Sequence, residues 1–175
     1  MNIYLHIEIS ARELDSKLLL AVLAASKGHQ VLLSSMGEII KGLNFRVLSP
    51  GIFHTKSLSP GKSKIDRHQK IIDKGSKITS IDEESGIDDY GYNQMAKNRY
   101  SNLTIEQSSA VFAWGSEDAD TLKKFYPKNS DKIYKTGSPR VDMWKPFFSD
   151  YWETPKKIPK KSFLLISTNQ LCTMR

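Results

Sequence analysis

"NIYLHIEISARELDSKLLLAVLAASKGHQVLLSS", residues 2–35, decides the fold. Residues 2–9 are β-branched and aromatic with apolar alternation, the pattern of a strand. Residues 11–29 then place leucine and alanine at spacings of three and four, which predicts a helix. Gly28 stops that helix, as a glycine beyond a last turn does. "QVLLSS" (30–35) opens a second strand. Two strands joined by a helix pair in parallel through a right-handed crossover, so the chain starts as an α/β unit.

The alternation continues outward. "GEIIKGL" (37–43) predicts a short helix, and "NFRVLS" (44–49) a third strand. "PGIFHTKSLSPGKS" (50–63) reads as a Gly/Pro/Ser-rich loop. A helix over 64–75 follows, then a fourth strand, "KITSIDEE" (77–84), ending in three carboxylates. Residues 85–102 are polar and aromatic, part loop and part helix. Residues 104–110 predict helix, 111–115 strand, 116–127 helix with Ser116 as N-cap, and 132–137 the sixth strand. The expected architecture is α/β: a doubly wound, mostly parallel, Rossmann-like sheet of about six strands filling residues 1–148. Residues 149–161, "SDYWETPKKIPKK", read as an interdomain linker. "SFLLISTN" in 162–175 reads as the apolar opening strand of a second α/β domain, whose remainder is expected beyond this chain.

Composition bounds the function. The chain has 175 residues, 39% hydrophobic and 26% charged, within the range of one sizeable core. The net charge is +7, concentrated in 123–135 and 156–161. Such an excess suits a solvated lysine-rich surface, or peripheral association with the inner face of the cytoplasmic membrane. Nucleic acid is not an expected partner, because no aromatic-interleaved basic stripe of a reader motif is present. With one cysteine, Cys172, no disulfide forms within the chain, which fits a cytoplasmic location. "LLLAVLAA" (18–25) is too short to span a bilayer. No histidine pair has metal-ligand spacing, so no metal is expected. The first turn lacks G-x-G-x-x-G, which argues against a nicotinamide-dependent dehydrogenase. "SPGKS" (59–63) lacks the glycine spacing of a phosphate-binding loop.

Ligands of such sheets bind outside the carboxyl ends of the strands, so candidate residues are sought there. Asp82, Glu83 and Glu84 are the catalytic candidates. Crowded carboxylates raise one another's pKa, which suits a base that removes a hydroxyl proton, with Glu83 the first choice. The competing reading has one of them cap the next helix and the others solvated. Glu8 and Arg12 follow the first strand. Arg12 can hold a phosphate or carboxylate in a bidentate contact, or pair with a carboxylate of the 82–84 run. His54 and Lys56 sit on the 50–63 loop, where phosphate or sugar hydroxyls could bind; the competing reading is a solvated loop. Arg140 and Asp142 lie on the turn "TGSPRVD" (136–142), as a structural lock or as contacts to donor phosphates. Tyr90, Tyr92 and Tyr100 suit either a sugar platform or loop packing. The aromatics at 144, 147, 148, 151 and 152 suit interdomain packing. His6 reads as a packed strand histidine.

Taken in order, "IEISARELDSKLLLAVLAASKGHQVLL" (7–33), "GIFHTKSL" (51–58), "IDEES" (81–85), "AWG" (113–115), "TGSPRVD" (136–142) and "FLLISTN" (163–169) resemble the surface carbohydrate biosynthesis proteins. These are bacterial glycosyltransferase-like proteins of the GT-B fold, associated with capsule and lipopolysaccharide. The "TG-x-PR-x-D" element is also similar to that of CDP-glycerol glycerophosphotransferases. The resemblance implies an N-terminal, acceptor-side domain. It implies transfer from a nucleotide-sugar donor to a glycan acceptor, with the donor held mainly by a C-terminal domain and with no cofactor or metal. A sugar-nucleotide 2-epimerase shares the fold but matches the 82–84 and 138–140 elements less well. A reading of another class is a non-catalytic module that docks on a partner or an anionic membrane through its basic and aromatic residues.

Overall fold

A computed structural model describes residues 1–85 and 91–152 of the chain. Strands β1 (Asn2–His6), β2 (Gln30–Ser34), β3 (Ile52–Thr55), β4 (Lys77–Ile81), β5 (Ser108–Ala113) and β6 (Ile133–Lys135) form a single sheet. Every pairing is parallel, and the order is β2-β1-β3-β4-β5-β6. The connecting helices are α1 (Ser10–Ser26), α2 (Met36–Asn44), α3 (Lys62–Asp73), α4 (Gly91–Arg99), α5 (Asn102–Glu106) and α6 (Ser116–Phe125). A short α7 (Pro139–Asp142) follows β6. The chain is thus a doubly wound, Rossmann-like α/β domain. The strand order reverses direction between β1 and β3, the switch point at which such sheets open a crevice.

Register divides the side chains between two faces. Tyr4, Phe53, Ile78, Val111 and Ile133 share one face and are buried against Ile39 and Leu43 of α2, Ile71 of α3, Ala96 of α4, Ile105 of α5 and Leu122 of α6. Full burial of each large aliphatic or aromatic side chain stabilises the fold by about 1.5–3 kcal/mol. The opposite face carries Ile3, Leu5, Ile52, His54, Thr79, Ile81 and Phe112 under α1 and α7.

One strand is displaced from its expected place. Residues 44–49 form no strand; they end α2. The N–H groups of Phe45, Arg46, Val47 and Leu48 donate to carbonyls of Lys41, Leu43 and Gly42, satisfying the helix terminus rather than a ladder. Arg46 adopts φ 57°, and Phe45 and Val47 are exposed. The third strand lies instead in "IFHT", inside the stretch read as loop. Its approach depends on Gly51, where an added Cβ would fall 2.4 Å from the Asn2 carbonyl oxygen. Gly51 O accepts from Lys77 N–H on the other side.

Two smaller corrections follow. Ser116 is the first residue of α6, not its cap; Gly115 takes that position, and the Asp118 carboxylate accepts from Trp114 N–H at 2.9 Å. The turn at 136–142 becomes a helix start, with Gly137 at φ 86° and Pro139 in the first turn of α7. A 3-10 turn, Pro146–Tyr151, occupies the beginning of the expected linker. The rest of that linker, the strand expected in 162–169, Cys172 and Tyr90 lie outside the described residues. No helix among the described residues is long and apolar enough to cross a membrane.

Candidate functional site

The carboxyl ends of β1, β3 and β4 bring together residues far apart in sequence. α1 begins directly after β1, and its first turn carries Glu13. Glu13 is fully buried: Oε2 accepts from Glu8 N–H at 2.8 Å, and Oε1 accepts from Lys56 Nζ at 3.2 Å. Lys56 follows β3, and its Nζ also lies 2.6 Å from Glu8 Oε2. Burial opposes the charges of Glu13 and Lys56, but hydrogen bonds outweigh it: from Glu8 N–H and then Lys56 to Glu13, and from Lys56 to Glu8 and then Glu13. Glu13 is held below the usual carboxylate value and Lys56 above the usual ammonium value. The hydrogen bond from Lys56 likewise lowers Glu8.

The 82–84 run sits beside this pair and divides into three roles. Glu83 points inward, with Oε1 2.6 Å from Nζ of the fully buried Lys17 and its N–H donating to Lys56 O at 3.0 Å. Asp82 is buried. Its Oδ1 accepts from Glu84 N–H at 2.9 Å, and its Oδ2 from Arg99 Nε at 2.7 Å. Burial raises the Asp82 carboxyl, against the pull of Arg99. Trp114 Nε1–H donates to Asp82 O at 2.7 Å and pins the turn from β5. Only Glu84 of the three faces solvent, its side chain 42% exposed. Its two oxygens lie 2.8 Å from Arg99 Nη1 and 3.2 Å from Arg12 Nη1. Arg140 Nη1 donates to Glu83 O at 3.3 Å, tying α7 to the same turn.

Glu8, Arg12, Lys56, Arg140 and the 82–84 run thus converge. His54 and Asp142 do not join them. His54 is a buried strand residue, its Nδ1 2.9 Å from Thr79 Oγ1. Asp142 pairs with the exposed Lys145 at 2.5 Å. Arg140 and Asp142 therefore engage separate partners, Glu83 O and Lys145. Ser57 and Ser59, next to Lys56, accept from Lys64 Nζ at 2.6 and 2.9 Å. Tyr100 is a core residue and Tyr92 half-buried, whereas Trp144 and Phe147 are exposed. His6 is packed, as its place in the strand implies, stacking on Phe53.

Lys17 and Arg99 were not singled out from the sequence. Lys17 stands four residues after Glu13, on the helix face that also buries Ser16 and Ala21, where a lysine needs a buried partner. Arg99 ends a polar helix and carried no such signal. The charges of Glu8, Glu13, Asp82, Glu83 and Glu84 are matched by Arg12, Lys17, Lys56, Arg99 and Arg140. Among the described residues the edge is thus densely ion-paired, with Glu8 and Glu84 its outward carboxylates. No group of three or more His, Cys, Asp or Glu side chains among the described residues is placed to hold a metal ion.

Fold and site together define a doubly wound α/β domain with an ion-paired cluster at the carboxyl edge of its sheet. Comparison with protein-family models, curated proteins and solved structures finds no match for this chain.

Proposed function

We propose that this chain is the N-terminal, acceptor-side domain of a GT-B glycosyltransferase-like protein of surface polysaccharide synthesis. The supporting observation is Glu84, a solvent-facing carboxylate fixed between Arg12 and Arg99 above a buried ionic floor, at the switch point of a parallel sheet. In this reading Glu84 takes the proton of the acceptor hydroxyl as its oxygen attacks the anomeric carbon of a nucleotide-sugar. The nucleoside diphosphate leaves with the electrons of the broken glycosyl–phosphate bond. Arg12 and Arg99 orient the base, and the inward pairing of Glu83 with Lys17 shifts the role of base from Glu83 to Glu84. The donor is a substrate held mainly by a second domain, and no cofactor takes part.

Reading the source DNA past codon 175 in all three frames is the first test. A second α/β domain is expected, and its absence sinks transfer by this chain. In the two-domain protein Glu84→Gln should lower kcat about 10²-fold or more, the usual scale of a lost general base, while donor Kd stays unchanged. An unaltered kcat overturns the assignment.

A second reading is favoured by one surface feature. Trp144 is 65% and Phe147 87% exposed, beside Tyr151 and Trp152. Such a patch suits a docking module. Salt-sensitive binding to anionic vesicles, with no effect of any nucleotide-sugar, would favour that reading over transfer.

A further inference from the structure

The second face of the sheet holds a pocket that the charged edge does not use. Topology explains it. Among the described residues, only the β1–β2 crossover puts a helix, α1, on this face. The core contacts of α2 to α6 all lie on the other face. A parallel sheet is ordinarily covered on both faces. Here α1 and α7 leave between them a pocket of about 380 Å³, within the range of small-molecule sites. Its walls are mainly apolar, with Leu20, Ile52, Ile81 and Phe112 among them.

His54 lines this pocket and is 7% exposed. Its Nδ1 is engaged with Thr79 Oγ1, while its Nε2 is buried without a hydrogen-bond partner among the described residues. A buried polar nitrogen left unpaired costs free energy, which a ligand group can recover. Burial, and after it the nearby charge of Lys17, pushes the imidazole well below its ordinary value and keeps it neutral. Asp142 is the sole charged side chain lining the pocket among the described residues, and it already pairs with Lys145. Nothing there compensates an anion.

We propose that this pocket is a binding site for a neutral, mainly apolar small molecule carrying one hydroxyl, which His54 Nε2 recognises. A hydroxyl both donates and accepts, so it satisfies Nε2 in either tautomer. The apolar remainder displaces poorly bonded water from the walls. The site is separate from the Glu84 edge and does not depend on the transferase reading.

The test is a titration of the 175-residue chain with 4-propylphenol and with propylbenzene, followed by ¹H–¹⁵N spectra of amides and imidazoles. The phenol should give saturable shifts at Leu20, Phe112 and Thr136 and at the His54 ring nitrogens. It should bind about tenfold more tightly than propylbenzene, the scale of one recovered buried hydrogen bond. His54→Phe should keep propylbenzene binding and lose the preference. Leu20→Trp, on the partly exposed inner side of α1, should abolish both, with dispersed spectra showing that the variant is folded. Equal affinities for the two probes overturn the proposal. So does the absence of saturable shifts at the pocket amides, the result expected if another protein segment fills the trough.

Discussion

Replacing Lys17 by methionine tests the ionic floor on which the site rests. Lys17 and Glu83 side chains are 0% and 6% exposed, with Nζ and Oε1 2.6 Å apart. At an effective dielectric constant near 20, two unit charges at that distance attract by about 6 kcal/mol. Desolvation costs several kcal/mol for each ion, so the intact pair contributes little net stability. Removing lysine alone keeps the desolvation cost of the carboxylate and deletes its compensation. The expected loss is about 3–5 kcal/mol, a large part of the ~5–15 kcal/mol that stabilises a domain. The double variant Lys17→Met with Glu83→Leu removes both charges at similar volume and should return to within about 1 kcal/mol of wild type. Urea unfolding followed by tryptophan fluorescence measures both, with unchanged slopes showing that the unfolded states are comparable. A single variant as stable as wild type, or a double variant no better than the single, refutes the buried-pair account.

Three further outcomes are expected. Glu84→Gln, unlike the Lys17 variant, should leave the urea midpoint within about 0.5 kcal/mol of wild type, because its carboxylate is a partly exposed member of the network; a loss like that of Lys17→Met would show that Glu84 is structural. His6 and His68 are buried, and burial lowers each to about 4 from the ordinary 6.5. The unfolded chain then binds more protons between those values, so stability is complete above pH 6.5 and falls as pH drops towards 4. Each histidine accounts for up to about 3 kcal/mol. Urea midpoints at pH 7.5, 6.0 and 4.5 should fall in that order, and His68→Leu should flatten the trend; a midpoint constant across this window contradicts the neutral burial. Gly51→Ala should destabilise by about 2 kcal/mol or more through its clash with Asn2. Gly37→Ala, in α2 with only Ser35 Oγ at 3.9 Å, should instead stabilise by about 0.5–1 kcal/mol. Thermal melts of the pair decide the matter, and equal shifts would refute it.

What the sequence showed and hid follows from the range of each cause. The β1–α1–β2 unit was legible because alternation and helical spacing are local, and Gly28, at φ 81°, stops the helix where its position implies. The third strand was not. Residues 44–49 have strand-like composition, yet their N–H groups close α2. "IFHT" is bounded by proline, glycine and serine and becomes a strand only because Gly51 lets the backbone press against Asn2, nearly fifty residues earlier. The same division holds at the site. That Asp82, Glu83 and Glu84 stand at a carboxyl edge could be read from strand order alone. Which of them faces solvent could not, because Lys17 and Arg99 reach the turn from different helices and draw neighbouring carboxylates to opposite sides. A run of like charges displays its chemistry in sequence, but its division into the buried partner of Lys17, a buried acid clamped by Arg99 and an outward carboxylate is set by the cations that tertiary structure delivers. Lys17 is such a cation: it is buried one turn after the first-turn acid Glu13, on a face that also buries Ser16, and a buried lysine requires an opposite charge beside it.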